Sequence, residues 1–252
     1  MMNGAIRNTI INGLQVNKTY IILAFLGLLL LPILPASSQL NSSYNQLLHG
    51  AIVRGDTSKA ELSLVFTGDE FADGGFYIDS VLRTQGIKAS FFLTGKFYRN
   101  PDFKELIENL RENGHYLGAH SDQHLLYCSW EDRDSLLVSK NLFSDDMQDN
   151  YRIMADFGIK KKDAMFFLPP YEWYNDSIAK WTTGMGLQLI NHTHGTLSHA
   201  DYTTPGSANY RSSDVIYRSI LAYENSNPAG LSLIHISEPT RLRLKSRFPS
   251  SG

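Results

Sequence analysis

Two short stretches carry the side chains that could do chemistry. Phe66-Thr67-Gly68-Asp69-Glu70 with Asp73 places three acids directly after the apolar run Leu62-Ser63-Leu64-Val65-Phe66. Such a run reads as a buried strand, so its acids fall where the strand ends. Gly118-Ala119-His120-Ser121-Asp122-Gln123-His124 offers two imidazoles four residues apart. That is about one helical turn, so both rings can lie on one side of a tight loop and face a common ion. One carboxylate and two neutral imidazoles leave positions open on a divalent metal, as catalysis requires and a closed structural site does not. The chemistry this predicts is metal-assisted hydrolysis.

The elements that must position these groups alternate along the chain. After strand 62–66, a helix is predicted over 76–84, with Ile78, Val81 and Leu82 on one face and Gly86 as its stop. Strand 87–93 follows. Asn100-Pro101-Asp102 then opens a helix striped by Phe103, Leu106, Ile107 and Leu110 and closed by Gly114. Residues 115–119 read as a short strand that delivers His120. A helix over 142–157 carries Met147, Tyr151 and Met154 at helical spacing, read as core. Strand 164–168 ends in Pro169-Pro170-Tyr171-Glu172-Trp173-Tyr174, and Asn175-Asp176 caps the next helix. Strand 187–191 leads to a loop with His192, His194, His199 and Asp201, and Ser212-Ser213-Asp214 caps a last helix. Residues 41–59 read as a polar lead-in. Repeated strand–helix units with motifs at strand ends predict one α/β barrel domain whose site lies at the strand C-termini.

The totals narrow the function. A chain of 252 residues with 42% hydrophobic composition can bury one large core, and a formal net charge of −2 gives no footprint for nucleic acid. A single cysteine, Cys128, excludes an intrachain disulfide and every multi-cysteine zinc pattern; it is expected to pack near Tyr127 and Trp130. At the N-terminus, Arg7 and Lys18 precede an apolar run over 20–34, followed by Pro35-Ala36-Ser37-Ser38-Gln39. This is the layout of a secretory signal cleaved after Ser38, which predicts a secreted or periplasmic protein. An uncleaved anchor is the alternative, but the run is short for a span and Pro32 interrupts it.

With both motifs placed, the chain resembles the polysaccharide deacetylase family, the NodB-homology group of carbohydrate esterases, from about residue 50 to residue 230. The resemblance is carried by the acidic strand end, by Lys88-Ala89-Ser90-Phe91-Phe92-Leu93-Thr94-Gly95, by His120-Ser121-Asp122-Gln123-His124, and by Phe167-Leu168-Pro169-Pro170-Tyr171. It implies a distorted (β/α) barrel that removes acetyl groups from N-acetylated, or sometimes O-acetylated, saccharides with one divalent metal. It also implies Asp69, His120 and His124 as metal ligands, with zinc the default and cobalt, nickel or manganese accepting similar donors. The backbone N–H of Tyr171 would face the developing oxyanion. Two positions depart from the pattern: Gly68 stands where the resemblance places a general-base aspartate, and Leu168 where it places the arginine that orients that base. Glu70 and Asp73 are the acids expected to have taken over as base. Asp201-Tyr202 resembles a further family element. The implied partner is an acetylated polysaccharide or oligosaccharide. The rival readings are a non-catalytic carbohydrate-binding protein on this scaffold and an O-acetyl esterase.

Residues 231–252 look foreign to this plan. Leu231-Ser232-Leu233-Ile234-His235-Ile236-Ser237-Glu238-Pro239-Thr240-Arg241 is what the transposon-end adapter of sequencing libraries encodes in one frame. The expectation is that 231–252 is adapter read-through, and that the native last strand and helix of the barrel are missing. Leu233-Ile234-His235-Ile236 would then imitate by accident the closing strand that the resemblance implies, one ending in a histidine that acts as general acid.

Overall fold

The computed structural model describes residues 45–56, 58, 60–203, 205–227 and 230–236. The predicted signal, the residues that follow it to 44, and 237–252 lie outside the described residues. Eight strands form one sheet in the order β1-β2-β8-β3-β4-β5-β6-β7. They are β1 (Gln46–Leu48), β2 (Ala51–Arg54), β3 (Ala60–Gly68), β4 (Ser90–Leu93), β5 (Tyr116–Ala119), β6 (Phe166–Phe167), β7 (Gln188–Leu189) and β8 (Gly230–Ile236). From β8 through β3 to β7 every pairing is parallel, while β1 and β2 join antiparallel. A bridge between Ile52 and Ile190 brings β2 beside the exit of β7, so the sheet curls on itself as a distorted (β/α) barrel.

The helices are α1 (Gly75–Thr84), α2 (Gly95–Arg99), α3 (Lys104–Glu112), α4 (Lys140–Asp156), α5 (Asp176–Gly184) and α6 (Ser213–Ser226). Their starts follow from side-chain caps: Thr94 Oγ1, Ser139 Oγ, Asn175 Oδ1 and Ser212 Oγ accept from backbone N–H groups in the first turns of α2, α4, α5 and α6. The periodic stripes turn inward as expected, with Leu106, Ile107 and Leu110 of α3 and Met147, Tyr151 and Met154 of α4 all buried. Cys128 is buried, and burial pushes its thiol up to about 11, so it packs as a small inert side chain.

Three elements, β1, β2 and α2, are additional to those expected. The polar lead-in contains β1 and β2, and α2 stands between β4 and α3. Residues 230–236, expected to imitate the closing strand, take that place between β2 and β3, in register from Ala60↔Gly230 to Phe66↔Ile236.

Candidate active site

The register of the sheet builds the site. Gly68, Leu93, Ala119 and Phe167 are partners across β3, β4, β5 and β6. The next residue of each segment therefore falls on one lip at the strand C-termini: Asp69, Thr94, His120 and Leu168. Thr94 Oγ1 donates to Asp69 Oδ1 (2.9 Å). His120 Nδ1 lies 2.7 Å from the Leu168 carbonyl oxygen. A carbonyl only accepts, so Nδ1 carries the proton and Nε2 keeps its lone pair. Asp69 Oδ2 is 3.8 Å from His124 Nδ1 and 3.9 Å from Lys96 Nζ.

The loop that carries both histidines is held against its own backbone preference. Ser121 (φ 72°) and His124 (φ 58°) are left-handed, a conformation that needs support from outside the loop. Helix α4 supplies it. Asp146 accepts from the N–H groups of Asp122 (3.0 Å) and Gln123 (2.9 Å). Asn150, one turn on, accepts from His120 N–H (3.0 Å) and donates to the Leu93 carbonyl (3.3 Å). Arg99 grips Asp122 through two bonds of 2.7 and 2.8 Å. Gly95 permits that grip, since a Cβ there would lie 1.8 Å from Asp122 Oδ1. Sequence reasoning missed Asp146 and Asn150; the available signal was two polar residues interleaved with the buried stripe of α4.

Burial decides the charge of the histidines. His120 is pushed down to about 3, first by loss of water and then by His124. His124 is also lowered by burial, although Asp69 pulls it the other way. Both rings are neutral at physiological pH and available as lone-pair donors.

The opposite wall is the turn Pro170–Glu172, where Tyr171 (φ 59°) and Glu172 (φ 52°) are both left-handed. Its surroundings pin it. Asn191 Nδ2 donates to the Glu172 carbonyl (2.8 Å), Trp173 Nε1 to the Ser129 carbonyl (3.0 Å) and Arg133 to the Tyr174 carbonyl (2.8 Å). The Tyr171 ring packs against His124, centroids 4.5 Å apart, and against Trp130 at 5.8 Å. The Glu172 carboxyl is raised to about 8 by burial, with Asp201 adding in the same direction. Between the walls lies a cleft of about 530 Å³, lined by Asp69, Glu70, His120, His124, Tyr171 and Glu172 among others.

The structure thus brings Asp69, Glu70, His120, His124 and Tyr171 to one cleft. Asp73 is exposed and not part of its lining, because it has already passed into the turn that leads to α1. Tyr202 and His199 also line the cleft, His199 stacking on His192 with centroids 4.4 Å apart. Glu172 and Trp130 were missed as site residues. Nothing in their sequence neighbourhood distinguishes them, since only the fold brings the Trp130 loop and the 170–172 turn to one cleft.

Gly68 and Leu168 face apolar surroundings. A Cβ on Gly68 would meet Leu93 Cδ2 at 2.8 Å and Phe97 Cε2 at 2.9 Å, and Leu168 is fully buried among Ile52, Val65, Phe92 and Ile190.

As a metal-binding set, one carboxylate and two neutral imidazoles suit a borderline divalent ion. Donors at about 2.1 Å on a tetrahedral ion sit about 3.4 Å apart, close to the observed 3.8 Å between Asp69 and His124. The His120 ring centroid lies 5.1 Å from that of His124. Among the described residues no three His, Cys, Asp or Glu side chains are drawn together tightly enough to hold an ion as they stand. The donors fit such an ion in kind.

A sequence model of polysaccharide deacetylases matches residues 56–190. The chain belongs to the polysaccharide deacetylase family. Within this family, it is 26% identical over 159 residues to the peptidoglycan-N-acetylmuramic acid deacetylase PdaA of Bacillus subtilis (strain 168), covering 62% of this chain and 54% of that one. The chain therefore spans about half the length of this curated relative. The solved PdaA structure, a family 4 carbohydrate esterase, superposes with a TM-score of 0.58 at 19% identity, covering 74% of this chain and 72% of that one. A family 4 pseudoenzyme from Bacillus anthracis superposes with a TM-score of 0.57 at 19% identity, covering 76% of this chain and 60% of that one. These likenesses support the deacetylase fold.

Proposed function

We propose that this member of the family is a metal-dependent hydrolase that removes acetyl groups from an acetylated polysaccharide or oligosaccharide outside the cytoplasm. N-acetyl groups are the favoured target and O-acetyl groups the alternative. The observation that carries the reading is the convergence of Asp69, His120 and His124 on one cleft with Glu70 at its lip. A bound divalent ion, zinc by default, would supply Lewis-acid polarisation of the acetyl carbonyl and activation of a water. The chain's own groups do the rest. Asp69 Oδ2 and His124 Nδ1 present donors, and Leu168 holds His120 in the tautomer that leaves Nε2 for the ion. Glu70 takes the proton of the attacking water. The backbone N–H of Tyr171 faces the oxygen that becomes negative. The rings of Trp130, Tyr171 and Tyr202 offer flat apolar faces to pyranose rings. PdaA is named for peptidoglycan, which makes peptidoglycan-derived saccharides the first substrates to try.

The test is metal content and acetate release, measured on the mature protein with muropeptides and N-acetylated chito-oligosaccharides. Stoichiometric metal that is lost in His120→Ala, with turnover lost but metal kept in Glu70→Ala, supports the reading. Gly68 and Leu168 favour a second reading, a carbohydrate-binding protein without turnover. Stoichiometric metal and saccharide binding with no acetate from any substrate would establish that instead.

A further inference from the structure

Lys96 stands beside the ligand set without belonging to it. Its Nζ is 3.9 Å from Asp69 Oδ2, the same oxygen that lies 3.8 Å from His124 Nδ1. The start of α2 keeps the lysine in this place, because the N–H groups of Gly95 and Lys96 donate to the Ser121 and Asp122 carbonyls of the histidine loop (3.1 and 3.2 Å). Arg99, the other cation of α2, is committed to Asp122. Thr94 fixes the second oxygen of Asp69, which leaves Oδ2 to be shared between the ammonium and the imidazole. The Asp69 side chain is only 12% exposed and that of Lys96 38%, so solvent screens this pair weakly. At His124 the ring is lowered first by burial, Asp69 opposes that, and the Lys96 charge lowers it again. One ammonium thus acts on two of the three ligands.

We propose that Lys96 is a counter-charge built into the metal site, which competes with the incoming ion for Asp69 Oδ2 and so confines loading to strongly coordinating late divalent metals. The inference rests on the metal-dependent reading and concerns which ions the site admits. A carboxylate oxygen paired with an ammonium gives up that pair before it ligates an ion. The ammonium, tethered through α2, then stays within the range where two positive charges repel. This penalty is the same for every divalent ion. Donor affinity is not, since for nitrogen and oxygen ligands it climbs from manganese through cobalt toward the late metals. A uniform penalty therefore excludes the weak binders first and leaves zinc among the ions still able to load.

The experiment measures Kd for Mn2+, Co2+ and Zn2+ by chelator competition on full chains of wild type, Lys96→Met and Lys96→Arg. His120→Ala, which should lose affinity for all three, is the control for the site. Removing the charge is expected to lower Kd about 10–100-fold for every ion, the range over which groups behind a ligand move metal affinity. The ratio of Mn2+ to Zn2+ affinity stays as it was, and Lys96→Arg, which keeps the charge, stays within about threefold of wild type. The rise in Tm on loading is larger in Lys96→Met than in wild type, because the ion binds more tightly and Asp69 has lost its partner in the stripped protein. Affinities in Lys96→Met equal to wild type overturn the proposal. So do weaker ones, which would make Lys96 a support for Asp69 alone. Absence of binding in wild type and Lys96→Met alike defeats the metal-dependent reading and this proposal with it. Stoichiometric metal that Lys96→Met binds more tightly, with no acetate released from any substrate, defeats the deacetylase reading and leaves the assignment of Lys96 standing.

Discussion

At the scale of single residues, the site turns on what lies beside a position as much as on what occupies it. Gly68 abuts Leu93 and Phe97 so closely that a side chain there must displace one of them. Gly68→Asp is therefore expected to add a strained, apolar-facing carboxylate without creating a base. Overpacking of this kind costs about 1–3 kcal/mol, a fall in Tm of about 2–12 °C for a domain of this size. Thermal unfolding with an acetate assay checks both halves, and restored turnover at unchanged Tm would contradict the packing argument. That Asp69, His120 and His124 emerge at strand ends was legible in the sequence because an apolar run fixes where its strand stops, whereas their grouping as one set was implied only by the family resemblance. Glu172 was not legible, because its place in the cleft depends on two left-handed residues and on contacts from segments far away in sequence. Asp73 shows the converse: proximity to the motif suggested a base, but the chain turns away before reaching it.

At the scale of elements, α4 does more than cover the sheet. Its Asp146 and Asn150, four residues apart, reach the histidine loop from one face, and together they bind three backbone N–H groups of that loop. Asn150→Ala strands the buried His120 N–H and frees the start of the loop. The expected cost is about 1–3 kcal/mol in stability, with a 10–100-fold loss in metal affinity because the ligand is no longer held in place. Chelator competition measures the affinity, with Asp149→Ala on the exposed face of the same helix as control. Equal affinities in the two variants would show that α4 only packs. Helices with periodic stripes and side-chain caps were legible; α2, five residues long, offers too short a stripe to read. Strand β2 was hidden for a different reason. Its Arg54 looks like a surface residue but is buried, bonding the Asn227 carbonyl at 2.9 Å with Glu224 3.7 Å away. Those partners come from the end of α6, and no local window contains them.

At the scale of the whole molecule, the buried ionisable groups set how stability varies with pH. His120 and His192 are lowered to about 3, mainly by burial, and His115, His194 and His199 move in the same direction. Unfolded, each takes a proton near 6.5; folded, each takes it less readily. For His120 and His192 the stabilising contribution is therefore complete above about pH 6.5 and lost as pH falls below it, at about 1.4 kcal/mol per pH unit each. Glu172 has the opposite sign. Raised to about 8, it keeps a proton that the unfolded chain releases near 4.5, so it costs stability as pH rises through that window. Between about 4.5 and 6.5 the histidines outweigh the single glutamate, and stability rises with pH. Above 6.5 the glutamate acts alone and stability declines toward pH 8. Urea unfolding of the metal-free protein from pH 4.5 to 8.5 should therefore show a maximum near pH 6.5. Glu172→Gln should flatten the alkaline side while leaving the acid side steep, and His192→Gln should make the acid side shallower without touching the other. An alkaline decline that survives Glu172→Gln would mean that the carboxyl is not held protonated by the fold.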